Sequence, residues 1–427
     1  MVNLAFWILP VLGVFVSAIT PDPPQGRWVD TWASMPQLTE INPDNRPPAP
    51  FTRFTNTTVR QTLRISTPAK QIRLRFSNAF GTINLPITSA TIALALNGTG
   101  SSAIDTSTLQ TVTFSGSPSI VIPNGALGVS DVIELGEQAQ ATTVISVTVY
   151  LREGQQSDDI TSHPGSRTTS WFVQGEHVGE GDLKGLQGLT GVEHWYFLSA
   201  VEAWSTRETK AFVIIGDSLT DGRGSTTNGN DRWTDQLLTR VQATTATSNI
   251  AVINQAAGGN RILADGLGPN VFGRIERDVL SHSGVGYAMI FEGTNDIGTA
   301  GSNTSAVADQ VIQAYKQISA RIHTFGIPFF GATITPFFGN VYYTTDHEAA
   351  RKKVNEWIRG EGLTTGVFDA VIDFDLAVRD PGNVERLDPK YDVNDGLHLN
   401  PTGYKVLADA VDLALFEQFA DGVDGFQ

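Results

Sequence analysis

Four short segments of this 427-residue chain carry groups that could act together on a carbonyl carbon. Ser218 lies in Gly216-Asp217-Ser218-Leu219, directly after the apolar run Ala211-Phe212-Val213-Ile214-Ile215. A serine hydroxyl is a weak nucleophile until a neighbouring base takes its proton. His398, in Asp395-Gly396-Leu397-His398, is the candidate base, and Asp395 is placed to hold its tautomer and stabilise the imidazolium formed during attack. The oxyanion that develops needs donors. Gly259, in Gly258-Gly259-Asn260, offers a backbone N–H where glycine permits close approach. Asn295, in Gly293-Thr294-Asn295-Asp296, offers a side-chain amide. Each segment alone has an ordinary reading as a turn or helix cap. Together they supply the parts of a serine esterase.

The elements that must position these groups are legible from residue 207 onward. Strand-like runs at 212–215, 251–254, 287–291, 328–334 and 371–374 alternate with helix-like runs at 232–243, 272–280, 306–325, 348–358 and 401–416. Such alternation predicts a parallel sheet covered on both faces. Sheets of this kind place ligands at the carboxyl ends of their strands. Three of the four segments follow predicted strands. The fourth precedes the last helix, where Asn400-Pro401 reads as an N-cap followed by proline at the first helical position.

Residues 27–203 have a different grammar. Short runs of alternating apolar and polar residues at 59–65, 71–76, 91–96, 109–114, 119–122, 143–151 and 194–200 are separated by Gly, Pro, Ser and Asn clusters. This predicts a β-sandwich or jelly roll. The segment 201–207 reads as a short linker, although Trp204 within it suggests that the two halves pack together.

The blocks GDSLTDG from Gly216, AGGNR from Ala257, GTND from Gly293 and DGLH from Asp395 resemble, in order and strand context, the SGNH or GDSL hydrolase superfamily. The resemblance covers roughly residues 211–416. It implies a flavodoxin-like three-layer α/β/α domain, here placed at 207–420, with Ser218 as nucleophile and oxyanion donor, Gly259 and Asn295 completing the hole, His398 as base and Asp395 as its orienter. Gly258 is the alternative to Gly259. Stretches near Trp28, Phe76 and Trp195 resemble the β-rich N-terminal half of extracellular two-domain esterases of the same superfamily.

Composition narrows the setting. The net charge of −15 disfavours nucleic acid as a partner. The apolar stretch 4–16, followed by Ser17 and Ala18, reads as a signal peptide over residues 1–18, so a secreted, extracellular protein without stable membrane insertion is expected. A retained anchor is the alternative. The absence of cysteine excludes thiol catalysis and disulfides. Sequons occur at Asn56, Asn97 and Asn303 and would be glycosylated in a eukaryotic secretory pathway.

Other residues carry weaker signals. Arg261 could bind a substrate carboxylate or sugar, or pair with an acid. Phe337, Phe338, Tyr342 and Tyr343 are read as an aromatic loop packed on the core, with a pocket wall as the alternative. Asp217, Asp221 and Asp296 are read as loop braces, with no metal and no cofactor. His163, His177, His194, His282, His323 and His347 lack a context like that of His398, and His282 and His323 are expected at helix ends or on the surface. The sequence therefore predicts a monomeric serine esterase acting on a small-molecule or polysaccharide ester, with short acyl groups such as plant cell-wall acetyls as its target. A lipase or lysophospholipase, or a catalytically silent carbohydrate-binding protein, are the alternatives.

Overall fold

The computed structural model describes residues 25–39 and 45–424; the expected signal peptide at 1–18 lies outside them. No helix among the described residues is long and apolar enough to cross a membrane.

The second half is a parallel five-stranded sheet in the order Ile250–Ala256, Lys210–Gly216, Val285–Phe291, Phe329–Ala332, Ala370–Ile372. Its strands are near-continuous apolar runs because both faces are covered. On Lys210–Gly216, Ala211, Val213 and Ile215 enter one core with Val311, Ile318 and Val354 from the helices Thr304–His323 and Thr345–Trp357. Phe212 and Ile214 enter a second core with Trp233, Leu237 and Leu407 from the helices Trp233–Ala243 and Pro401–Ala410. Each fully buried side chain of this size contributes about 1.5–3 kcal/mol by leaving water. The chain order of the strands reverses at Lys210–Gly216, the sheet's topological switch point. Ser218 follows its carboxyl end.

The predicted helix 401–416 is two helices, Pro401–Ala410 and Ala414–Gln418. The break falls at Asp412, whose Oδ1 accepts the Ala414 N–H (2.9 Å) and so starts a new turn.

The first half is a sandwich of antiparallel sheets. One sheet runs Thr190–Val192, Ser170–Gln174, Thr57–Arg64, Val144–Leu151, Ser89–Leu94, Gln110–Thr111. The other runs Arg27–Ala33, Leu198–Ser205, Gln71–Ser77, Ile133–Glu134, with Leu127–Val129 also on Gln71–Ser77. Val59, Leu63, Ile145, Val147 and Val149 of the first meet Ile72, Leu74, Phe76, Val201 and Ala203 of the second in one core.

The segment read as a linker is instead the end of the strand Leu198–Ser205, paired with Arg27–Ala33. Only residues 206–209 separate it from the parallel sheet. The outer face of that second sheet is not exposed: Val29, Ala33 and Ala200 belong to the same core as Ala211, Val213 and Ile215. Hydrogen bonds close the seam. Ser66 Oγ donates to the Val252 carbonyl (3.1 Å), and the Asp30 N–H donates to the Ser283 carbonyl (2.9 Å).

Candidate active site

The turn that presents Ser218 is tight for identifiable reasons. Asp217 is an N-cap whose Oδ1 accepts the Leu219 N–H (2.9 Å), and Ser218 opens the short helix Ser218–Asp221. A Cβ on Gly216 would lie 2.4 Å from the Thr220 side chain, so only glycine fits there. As a first-turn residue, Ser218 has no intrahelical acceptor for its N–H.

His398 stands on a loop gathered by Asp392, whose carboxylate accepts the N–H groups of Asn394 (2.8 Å) and Asp395 (3.1 Å). Asn400 then caps the helix Pro401–Ala410 by accepting the Gly403 N–H (3.0 Å). Asp395 Oδ1 accepts the backbone N–H of Leu397 (2.9 Å) and of His398 (2.8 Å), which fixes the carboxylate. Its Oδ2 lies 2.6 Å from His398 Nδ1. A carboxylate can only accept, so Nδ1 carries the proton and Nε2 is the acceptor. Ser218 Oγ lies 2.8 Å from that Nε2 and donates to it.

Burial shapes the electrostatics. It pushes the Asp395 carboxyl upward, but the hydrogen bonds from His398 and Leu397 outweigh it, and the net lies below the usual range. Burial lowers the His398 proton affinity; Asp395 opposes this, while the charges of Arg223 and Arg167 add to it, and the net is a lowered pKa. The resting histidine is therefore neutral and ready to accept a proton.

The candidate oxyanion donors gather beside Ser218. The N–H of Gly258 is engaged by Asp221 Oδ2 (3.0 Å), whereas those of Gly259 and Ser218 have no acceptor among the described residues. Gly259 has φ +70°, and a Cβ there would strike Leu267 at 2.6 Å, which fits a backbone-only role. Asn295 Nδ2 donates to the Asn260 carbonyl (2.9 Å) and, over a longer distance, to Asp217 Oδ2 (3.2 Å). Its Oδ1 accepts the Tyr342 hydroxyl (3.1 Å). The opposite amide orientation would set two acceptors against each other at both Asn260 and Asp217. Burial, followed by the nearby Asp296 and Asp221, raises the Asp217 carboxyl to about 7, against the Leu219 N–H.

The aspartates all brace backbone. Asp296 accepts the N–H groups of Ile262 and Leu263 (both 2.9 Å), and Asp221 holds Gly258. No group of three or more metal-ligating side chains occurs among the described residues. Arg261 donates to the Asp265 carbonyl and not to a carboxylate. The aromatic loop divides: Phe337 is core, Phe338 is exposed, and Tyr342 lines the cleft.

His163 corrects the sequence reading of the other histidines. It is buried, its Nδ1 is 3.0 Å from the Met35 carbonyl, and its Nε2 is 2.9 Å from Asp221 Oδ1. A residue of the sandwich thus holds the carboxylate that holds Gly258. His282 and His323 do lie at helix ends, after Glu276–Leu280 and at the close of Thr304–His323, but they are not surface residues: partly buried His282 pairs with Asp30 and buried His323 with Asp369. No periodicity or spacing around Ser162-His163-Pro164 signals this, because the contact joins segments from different halves.

The cleft over Ser218 has a volume of about 600 Å³. The sandwich contributes Gln37, Gly165, Arg167, Glu193 and His194 to its wall, facing Arg223, Leu267, Tyr342 and Leu397.

Residues 214–406 match the GDSL-like Lipase/Acylhydrolase family, so the chain carries a domain of that family across all four segments. Solved structures similar to it include a GDSL-like lipase from Bacteroides thetaiotaomicron (16% identity, 51% of this chain and 90% of that one, TM-score 0.36). They also include an acetyl xylan esterase (19% identity, 47% and 96%, TM-score 0.35). A third is a catalytic mutant of an acetylxylan esterase from Geobacillus stearothermophilus (16% identity, 51% and 96%, TM-score 0.37). No curated protein matches the chain.

Proposed function

We propose that the protein is a secreted serine esterase that hydrolyses short-chain carboxylic esters through an acyl-enzyme on Ser218. One observation carries this reading: the hydrogen-bonded chain from Ser218 Oγ through His398 to Asp395, with two unoccupied N–H groups beside it. Ser218 Oγ attacks the ester carbonyl carbon while His398 Nε2 takes its proton. The carbonyl oxygen becomes an oxyanion bonded by the N–H groups of Ser218 and Gly259, and Asn295 Nδ2 exchanges its longer bond to Asp217 for the same oxygen. Collapse breaks the bond to the alcohol, whose oxygen takes the proton from His398. Water, deprotonated by the same histidine, then releases the acid.

The cleft wall is rich in polar side chains, including Gln37, Arg167, Glu193 and His194. That supports a small acyl group on a polar alcohol, such as an acetylated polysaccharide, over a long-chain lipid. Rates on p-nitrophenyl acetate, butyrate and octanoate, beside Ser218→Ala, test both parts. Activity is expected to vanish in the variant and to fall with chain length. Equal rates in variant and parent would remove Ser218 as nucleophile, and a rise toward octanoate would favour a lipase.

A further inference from the structure

Two arginines stand in the wall of the cleft, one from each half of the molecule, and the mechanism uses neither. Arg167 belongs to the sandwich loop that follows His163, and Arg223 to the loop after Gly222. Neither makes an ion pair or a side-chain hydrogen bond among the described residues, in a chain of net charge −15. Arg167 is half-buried, adopts φ +49°, and its Nε is shielded from solvent without a partner. A non-glycine residue in that conformation is strained unless its surroundings hold it there. Here they do. The Arg167 carbonyl accepts the Asn228 N–H (2.8 Å), Asn228 Nδ2 donates to Thr169 Oγ1 (2.9 Å), and Arg232 donates to the Ser166 carbonyl. The Arg223 carbonyl accepts the buried Tyr404 hydroxyl (2.6 Å). Both loops are thus fixed, and both positive charges bear on His398.

Two guanidinium groups in the cleft wall without an acid partner among the described residues would gain charge-assisted hydrogen bonds from an anionic ligand. His398 returns its proton to the departing alcohol, so groups beside it face the alcohol portion of the ester. We propose that Arg167 and Arg223 form a subsite for a carboxylate on that alcohol portion, so that the enzyme prefers esters of acidic alcohols. This rests on the esterase reading above. Other carboxylates in the wall set the balance. Asp221 is occupied by His163 and Gly258, and Glu193, exposed on the sandwich side, is the one that a carboxylate substrate must avoid.

A matched pair of acetyl esters tests the subsite: 4-acetoxybenzoate and its methyl ester, each rate divided by its own hydroxide-catalysed rate. The parent enzyme is expected to favour the anionic ester by about tenfold in kcat/KM, chiefly through KM, and the preference should shrink in high salt. In Arg167→Gln combined with Arg223→Gln the anionic-to-neutral ratio should fall to about one, and the Lys variants should recover part of it. Cleavage of the neutral ester through Ser218 with no preference for the anionic one would overturn the subsite alone. Turnover of either ester undiminished in Ser218→Ala would overturn the esterase reading beneath it. A ratio that survives the double Gln variant would place the anion elsewhere.

Discussion

The central strands of the two halves are held by different means. In the parallel-sheet half, alternate residues of each central strand enter two apolar cores, and the buried guanidinium groups of Arg274 and Arg351 are satisfied by Asn260, Asp278, Glu348 and Asp375 among the helices and loops around the sheet. In the sandwich, only one face of the strand Thr57–Arg64 is apolar, yet nearly every residue of it is buried. Loops close over the other face, and Arg60, fully buried, donates to Thr148 Oγ1 (2.9 Å) and to the carbonyls of Ser102 and Glu180 (both 2.6 Å). Gln61 exchanges hydrogen bonds with the backbone of Tyr196. The strand Thr57–Arg64 therefore depends on satisfying polar groups as well as on its apolar face, whereas Lys210–Gly216 depends on filling volume on both faces. The proposed chemistry lies where the two halves meet. The parallel-sheet half supplies the proposed reacting groups, and the sandwich supplies part of the wall and a brace.

That division can be broken from the side of the chemistry first. Ser218→Ala should lower the rate on p-nitrophenyl acetate by about 10⁴-fold or more, with an unchanged melting temperature. Asn295→Ala should cost on the order of 10²–10³ in kcat, as loss of one oxyanion donor does. A loss confined to KM would move Asn295 out of that role.

The two modes of stabilisation can be compared directly by urea unfolding. Ile253→Ala, in the core shared with the parallel sheet, should cost about 2–5 kcal/mol through a cavity. Arg60→Met should cost about 3 kcal/mol through carbonyls left without donors. A neutral Arg60→Met would show that the polar face of the sandwich contributes no net stability.

His163→Gln tests the brace that crosses between halves. With Asp221 loosened, the Gly258-Gly259 turn is less well held, and a drop of about tenfold in kcat is expected, with KM nearly constant. An unchanged kcat would confine the sandwich to shaping the wall. The smallest effect concerns pH. In the proposed mechanism the working form of His398 is neutral, and its pKa is lowered by burial and by the two arginines. The acid limb of kcat/KM should therefore lie below the ordinary histidine value of about 6.5, and it should move upward when Arg167 or Arg223 is neutralised. A limb above that value would contradict the sign.

The readable features of the sequence were those carried by short stretches of chain. Gly216-Asp217-Ser218 and Asp395-Gly396-Leu397-His398 sit at the ends of apolar runs or at a capped helix start, and their spacing alone puts Asp395 within reach of His398. The split after Ala410 was also written locally, in Asp412, whose carboxylate accepts the Ala414 N–H, but the apolar spacing across it masked the signal. What could not be read depends on pairing between distant segments. Trp204 lies in a strand only because Arg27–Ala33 returns to pair with it. His163 meets Asp221, and Arg167 meets the cleft, only through the docking of one half on the other.

The pairing of Arg27–Ala33 with Leu198–Ser205 also sets the order in which a nascent chain can complete itself. As the polypeptide leaves the ribosome, Arg27–Ala33 lacks its partner Leu198–Ser205 until the last strand of the sandwich emerges, just before the parallel sheet begins. Until then Gln71–Ser77 presents an open edge, a template for pairing with other chains. Even after closure, Val29 and Ala200 stay wet until Lys210–Gly216 and its neighbours have been made. Synthesis thus leaves the first half waiting on the second, and a chain that stalls near residue 190 should be prone to aggregate.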